Sequence, residues 1–98
     1  MAYARVSTYE IPTERIDEAG PAFEEATRQL QGMEGIKEAM YLIDRTGGKA
    51  LTLTIWDSHE AMLASEEMAK EVRDRGASSG GGAVKTVDRY EIALRETF

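Results

Sequence analysis

The chain has 98 residues, of which 42% are hydrophobic and 31% are charged, and its net charge is −6 at pH 7. This composition is typical of a globular protein and predicts one domain over residues 1–98. The negative charge and the scattered Lys and Arg argue against nucleic acid as a partner, because a nucleic-acid binder needs a basic stripe.

The sequence also argues against a membrane partner and against secretion. No apolar run approaches the roughly 20 residues that a membrane helix needs, and the N-terminal residues lack a signal-peptide pattern. The chain has no Cys, which excludes a disulfide framework and a thiolate metal site. Together these features predict a cytoplasmic protein.

The first part of the chain predicts a strand followed by a helix. Residues 3–11 alternate in character and are rich in Tyr, Val and Thr, which is typical of a strand. Thr13 is a candidate N-cap, and apolar residues then recur at helical spacing as far as Leu30. Because a Pro inside a helix removes a hydrogen bond, Gly20-Pro21 predicts a kink or a restart.

A β-hairpin follows. Residues 36–44 and 49–56 have strand-like composition and flank a short turn that contains Gly47 and Gly48. Because Gly adopts positive φ without a steric penalty, this turn predicts antiparallel pairing of the two strands.

The last part predicts a second helix, a linker and a final strand. Ser58 or Asp57 caps the helix, and Asp57 has capping-box spacing to Glu60. Residues 75–82 are rich in Gly and Ser and predict a flexible connector, and residues 83–94 predict a strand. One helix face carries the smaller and apolar residues Ala61, Met62, Ser65, Met68, Ala69 and Val72.

The resulting β-α-β-β-α-β order predicts an α+β, ferredoxin-like fold, with an antiparallel sheet and two helices on one face. Strand alternation places Tyr3, Arg5, Ser7 and Tyr9 opposite Ala4, Val6 and Thr8. In the same way, Ala50, Thr52, Thr54 and Trp56 lie opposite Leu51, Leu53 and Ile55. Because neither face is fully polar, the bare face predicts a homodimer in which two sheets meet.

Trp56 and His59, the only residues of their types, stand where a strand passes into a helix. Trp56 has two interpretations: an anchor that closes the sheet–helix corner, or a pocket wall that stacks on an aromatic ligand. His59 is expected to be solvated in the first helical turn, and a single His without Cys predicts no metal site.

Arg5 is the candidate for charge stabilisation. It shares a strand face with Tyr3, Ser7 and Tyr9, where a guanidinium can stabilise an enolate or a phenolate. The alternative is an ion pair with Asp88 or Glu91 of the last strand. The four Tyr residues are expected to line either one cavity or one interface.

The element order, the Trp closing the third strand and the stretch "WDSHEAM" resemble the antibiotic-biosynthesis-monooxygenase-like family of dimeric α+β barrels. The resemblance implies a small dimer with a pocket between sheet and helices. Some members of this family oxidise anthrones and quinols with O₂ and without a cofactor, and others degrade haem. The Asn, helical Trp and His of the haem-degrading members have no counterpart here. Thr52 and Thr54 stand where quinol-oxidising members commonly carry an Asn.

Two functions therefore remain open. The first is cofactor-independent oxidation of an aromatic, anthrone-like or quinol-like molecule, with no metal. The alternative is a non-enzymatic, dimeric small-molecule-binding or stress-response barrel. The candidate pocket-lining residues are Trp56, Arg5, Ser7, Tyr9, Thr52, Thr54 and Tyr90.

Overall fold

The computed structural model describes residues 1–79 and 81–98. Within these residues, four strands, three α-helices and one 3₁₀ turn follow one another. They are β1 (Tyr3–Glu10), the 3₁₀ turn (Thr13–Arg15), α1 (Ile16–Arg28), β2 (Ile36–Asp44), β3 (Lys49–Trp56), α2 (His59–Ala64), α3 (Glu66–Ser79) and β4 (Ala83–Glu91). This order confirms the predicted arrangement, except that the second helix is divided at Ser65.

The sheet has the strand order β2-β3-β1-β4, and every neighbouring pair is antiparallel. Arg5 at the centre of β1 lies between Thr54 of β3 and Arg89 of β4. The β1–β4 register shifts between Thr8 and Tyr9, which is a β-bulge or a similar irregularity. These pairings confirm the α+β, ferredoxin-like fold.

The helices cover the more polar of the two sheet faces. Arg5, Ser7 and Tyr9 are buried beneath them, together with Thr54 and Trp56 of β3. The uncovered face carries mostly apolar side chains, namely Val6, Met40, Leu42, Leu51 and Leu53. This distribution places polar side chains in the interior, where buried polar groups need hydrogen-bond partners. It also leaves an apolar surface on the outer face of the sheet.

The first helix start differs from the prediction, and the second agrees with one of the two predicted caps. Thr13 makes no capping hydrogen bond to the helix, and α1 continues through Pro21 without a restart. At the second start, Ser58 is the N-cap and its Oγ accepts a hydrogen bond from the Ala61 N–H. Asp57 is therefore not the cap.

The predicted flexible connector is wrong over most of its length, because α3 continues to Ser79. Gly76 and Ala77 are buried, and a Cβ added at Gly76 would lie 3.2 Å from the Phe23 ring. The Gly at this position therefore allows α1 and α3 to approach closely. Gly80 lies outside the described residues. Within the described part of the chain, no helix is long and apolar enough to cross a membrane.

The bounds of the hairpin strands agree with the prediction. Only one of the two Gly residues in the turn adopts a positive φ. Gly48 has a φ of 66°, whereas Gly47 has no positive φ. The Oδ1 atom of Asp44 accepts hydrogen bonds from the N–H groups of Thr46 and Gly47, at 3.1 and 3.0 Å. The bond from the Gly47 N–H is the main cause that lowers the pKa of Asp44, and the bond from Thr46 adds to it.

Candidate functional site

A small cavity lies between the covered sheet face and the helices, with a volume of about 30 Å³. This volume holds roughly two water molecules, and it is too small for an aromatic ring. Its polar lining comes from β1, β3 and α3, and its apolar lining comes largely from α1 and α3. The lining residues that matter below are Arg5, Ser7, Tyr9, Phe23, Thr52, Thr54 and Arg73.

Arg5 is held from the helix side of the cavity. Its side chain is 3% exposed, and its Nη2 donates to the Met62 carbonyl at 2.7 Å and to Ser65 Oγ at 2.8 Å. The same nitrogen lies 3.1 Å from a carboxylate oxygen of Glu66. Burial lowers the pKa of Arg5 and the Glu66 carboxylate opposes this effect. A guanidinium nevertheless remains charged at neutral pH.

Glu66 is shared by two arginines. Arg89 of β4 donates from Nε and Nη2 to its two carboxylate oxygens, at 2.7 and 2.8 Å. Hydrogen bonding by Arg89, followed by the charge of Arg5, lowers the pKa of Glu66 to about 2. The start of α3 is thereby tied to two strands. The expected ion pair of Arg5 with Asp88 or Glu91 is wrong, because the partner is on a helix rather than on β4.

Trp56 is an anchor beside this cluster. Its side chain is 0% exposed, and its Nε1 donates to Thr54 Oγ1 at 3.0 Å. The guanidinium carbon of Arg5 lies 5.5 Å from the Trp56 ring centroid, within the range of a cation–π contact. Trp56 is not among the residues that line the cavity, and its ring contacts Arg5 and Thr54 instead.

Tyr9 contributes a hydroxyl and an aromatic wall. Its Oη lies 2.9 Å from Thr52 Oγ1, and its ring packs edge-on against Phe23 with centroids 4.8 Å apart. Phe23 also stacks on Tyr41 at 4.5 Å. Burial raises the pKa of Tyr9, so its hydroxyl is neutral at pH 7 and can donate a hydrogen bond.

Arg73 of α3 is a lining residue that the sequence did not indicate. It is half-buried, and it lies outside the apolar helix face that the sequence predicts. Its Nε and the Nε of Arg5 are both buried without a hydrogen-bond partner in the described residues. No carboxylate or imidazole is among the residues that line the cavity.

Two of the remaining candidates lie elsewhere. The placement of Tyr90 with the pocket residues is wrong, because it pairs with Ala4 on the uncovered face and is 55% exposed. His59 is exposed, as expected, and its ring lies 4.9 Å from that of Tyr3. In residues 1–79 and 81–98, no group of three or more His, Cys, Asp or Glu side chains could hold a metal ion.

Comparison with known sequences gives uncharacterized relatives from Mycobacterium tuberculosis. No family model matches the chain. The uncharacterized protein Rv2557 of Mycobacterium tuberculosis is 35% identical over 94 residues, which cover 95% of this chain and 42% of that protein. The chain thus spans about two fifths of the length of this relative.

Solved structures show the fold. A Deinococcus radiodurans protein with the provisional name antibiotic biosynthesis monooxygenase aligns with a TM-score of 0.73 at 15% identity, over 100% of this chain and 98% of that one. SnoaB, a cofactor-independent oxygenase from Streptomyces nogalater, aligns with a TM-score of 0.65 at 13% identity, over 98% and 95%. The chain therefore has the ferredoxin-like α+β fold of the antibiotic-biosynthesis-monooxygenase-like proteins.

Proposed function

We propose that this chain is a cofactor-independent oxygenase that uses O₂ to oxidise a small aromatic molecule of the anthrone or quinol type. The observation that carries the proposal is the cavity that Arg5 lines together with the hydroxyl-bearing residues Ser7, Tyr9 and Thr52. Preorganised donors in an enclosed site stabilise charge that develops on a substrate oxygen. The fold shared with SnoaB supports the same chemistry.

The reaction needs a substrate that reduces O₂ by itself. Loss of a proton from an anthrone methylene gives an enolate, whose negative charge Arg5 and the hydroxyl donors stabilise. Addition of O₂ to the carbanion carbon and protonation give a hydroperoxide. Loss of water then leaves a carbonyl, so that one CH₂ group and one O₂ become one C=O group and one water. The protein contributes binding and electrostatics, and O₂ is the oxidant.

The cavity has to open before an aromatic substrate enters. Its free volume is about 30 Å³, and Phe23 bounds it on the helix side, where its ring contacts both Tyr9 and Tyr41. We expect Phe23 and α1 to shift away from the sheet on binding. The substrate ring then takes the place of Phe23 against Tyr9.

The test is oxygen uptake by the purified protein with a panel of anthrones and hydroquinones. Tyr9→Phe removes the hydroxyl and keeps the ring that packs on Phe23. It should lower kcat/KM about tenfold or more, since a hydrogen bond to a charged group is worth about 1.5–3 kcal/mol. Tyr3→Phe is the matched control on the same strand face, outside the cavity lining. Uptake at the autoxidation rate with every substrate would contradict the proposal.

A second candidate function is ligand binding without turnover. The residues that line the cavity include no carboxylate or imidazole to serve as a general base, and binding alone needs none. Native mass spectra of the protein as purified distinguish the two functions. A bound small molecule that is released unchanged, together with no oxygen uptake, supports the binding function. A bound molecule that is recovered oxidised after exposure to O₂ supports the oxygenase.

We also propose that the chain forms a homodimer through the uncovered sheet face. Leu42 and Met40 there are 47% and 45% exposed, beside Leu51 and Leu53. A continuous apolar patch of this kind is unusual on a monomer. Light scattering should give a dimer, and Leu53→Asp should give a monomer. Leu63→Asp is the control, because Leu63 is 48% exposed on α2, away from this face.

A further inference from the structure

The positive charge around the cavity exceeds the negative charge that the described residues provide. Arg5 and Arg89 share the single carboxylate of Glu66. Arg73 forms no ion pair within the described part of the chain, and the neighbouring Asp74 is bound to Lys70 at 2.7 Å. Because a buried charge is costly unless it is paired, this arrangement favours an additional anion.

The unpartnered nitrogen atoms indicate where that anion binds. Arg5 is 3% exposed, and its Nε has no hydrogen-bond partner although its Nη2 has three close neighbours. The Nε of Arg73 is likewise buried and unpartnered in the described residues. Both side chains line the same cavity. A guanidinium matches the geometry of a carboxylate or similar oxyanion.

From the cavity's own residues, we infer that the site binds an ionised oxygen group, as in a carboxylate, an enolate or a phenolate, held between Arg5 and Arg73. The volume of about 30 Å³ matches the anionic group alone. Any larger body attached to this group lies toward Phe23. Ser7, Tyr9 and Thr52 provide neutral hydroxyl donors on the sheet side.

This inference rests on the proposed function where it concerns the substrate. The cavity lining includes no carboxylate or imidazole that could serve as a general base. Tyr9 is not a base at neutral pH, because burial raises its pKa. The substrate class is therefore restricted to molecules that are already anionic when they bind, or that ionise with water as the proton acceptor beside the two guanidinium groups.

The experiment uses Trp56 as a built-in reporter, since it is the only Trp and its ring lies 5.5 Å from the Arg5 guanidinium. The full chain is titrated with formate, and in parallel with formamide, which has similar size and no charge. The ionic strength is held constant with a bulky buffer anion. Formate should give a saturable change in Trp56 fluorescence and a rise in Tm, and formamide should give neither.

Substitutions in α3 test whether formate binds in the cavity. Arg73→Gln should weaken formate binding at least tenfold, and Arg73→Lys should restore part of it because the charge is retained. Arg75→Gln is the matched control, since Arg75 lies on the same helix, is exposed and carries the same charge. It should bind formate as the unchanged protein does.

Three outcomes overturn the inference: equal effects of formate and formamide, no saturable effect of either, or equal weakening in Arg73→Gln and Arg75→Gln. Different results test the oxygenase proposal and the anion-site inference. Oxygen uptake together with any of these three outcomes would sustain the oxygenase and overturn the anion site. Saturable formate binding without oxygen uptake would sustain the anion site and count against the oxygenase.

Discussion

Glu66 allows a quantitative test of how the interior is held together. Glu66→Gln removes the one negative charge that contacts both Arg5 and Arg89. The pKa of Glu66 falls from 4.5 to about 2 in the folded protein. At about 1.4 kcal/mol for each pKa unit, this difference corresponds to roughly 3 kcal/mol of stability at neutral pH. Because Glu66 is 25% exposed, solvent screening lowers the expected loss to about 2–3 kcal/mol.

The pH dependence has a definite sign. Because the folded pKa of Glu66 lies below the ordinary value of 4.5, the ionised carboxylate stabilises the fold at all pH values above about 4.5. This contribution is lost as the pH falls from about 4.5 toward 2. The free energy difference between the unchanged protein and Glu66→Gln should therefore be largest at pH 5–7, fall to less than about half at pH 3, and nearly vanish at pH 2.

The assay is urea unfolding at pH 7, 5 and 3, followed by Trp56 fluorescence. The protein concentration is kept the same throughout, because the unfolding midpoint of a dimer depends on concentration. Glu67→Gln is the control, since it changes the same charge at the next position and Glu67 is exposed. At pH 7 we expect Glu66→Gln to lose about 2–3 kcal/mol and Glu67→Gln to lose little. Equal stabilities of the two variants, or a difference that persists unchanged at pH 3, would refute the reasoning.

Four further variants have expected stability changes, which urea unfolding followed by far-UV circular dichroism measures, since one of them lacks the only Trp. Gly48→Ala should destabilise the protein, because a Cβ there lies 2.9 Å from Thr13 Cγ2 at a φ of 66°. A Cβ added at Gly20 meets nothing within 4 Å. Gly20→Ala should therefore stabilise α1 by about 0.5–1 kcal/mol. Trp56→Ala should cost about 3–5 kcal/mol; a loss below 1 kcal/mol would contradict its role as an anchor. Pro21→Ala should stabilise α1 by restoring a backbone donor, and a lowered midpoint would contradict this.

Several elements could be predicted from the sequence because their signals are local. The β-hairpin is the best example: its two strands and the turn at Gly48 depend on residue types and spacing within a short stretch. The alternation of β1 also separated Arg5, Ser7 and Tyr9 from Val6 and Thr8, because a strand turns successive side chains to opposite faces. Five candidates for the cavity, Arg5, Ser7, Tyr9, Thr52 and Thr54, share one face for this reason.

Other features depend on contacts between distant segments and could not be found in this way. The Gly- and Ser-rich composition of residues 75–82 predicts a linker, yet α3 continues through most of it because Gly76 packs against Phe23. The position of Tyr90 depends on the register of β4 against β1, which shifts at Thr8 and Tyr9. No local pattern carries that information.

The sequence by itself determined the order of the elements and the division of each central strand into two faces, since both follow from local periodicity. Only the tertiary structure decided that the helices cover the polar face. That choice buries Arg5, pairs it with Glu66 of a helix distant in the chain, and brings Arg73 to the same cavity. The physical reason is that a buried charge selects its partner through space, and the packing of α3 on the sheet sets which partner lies within reach.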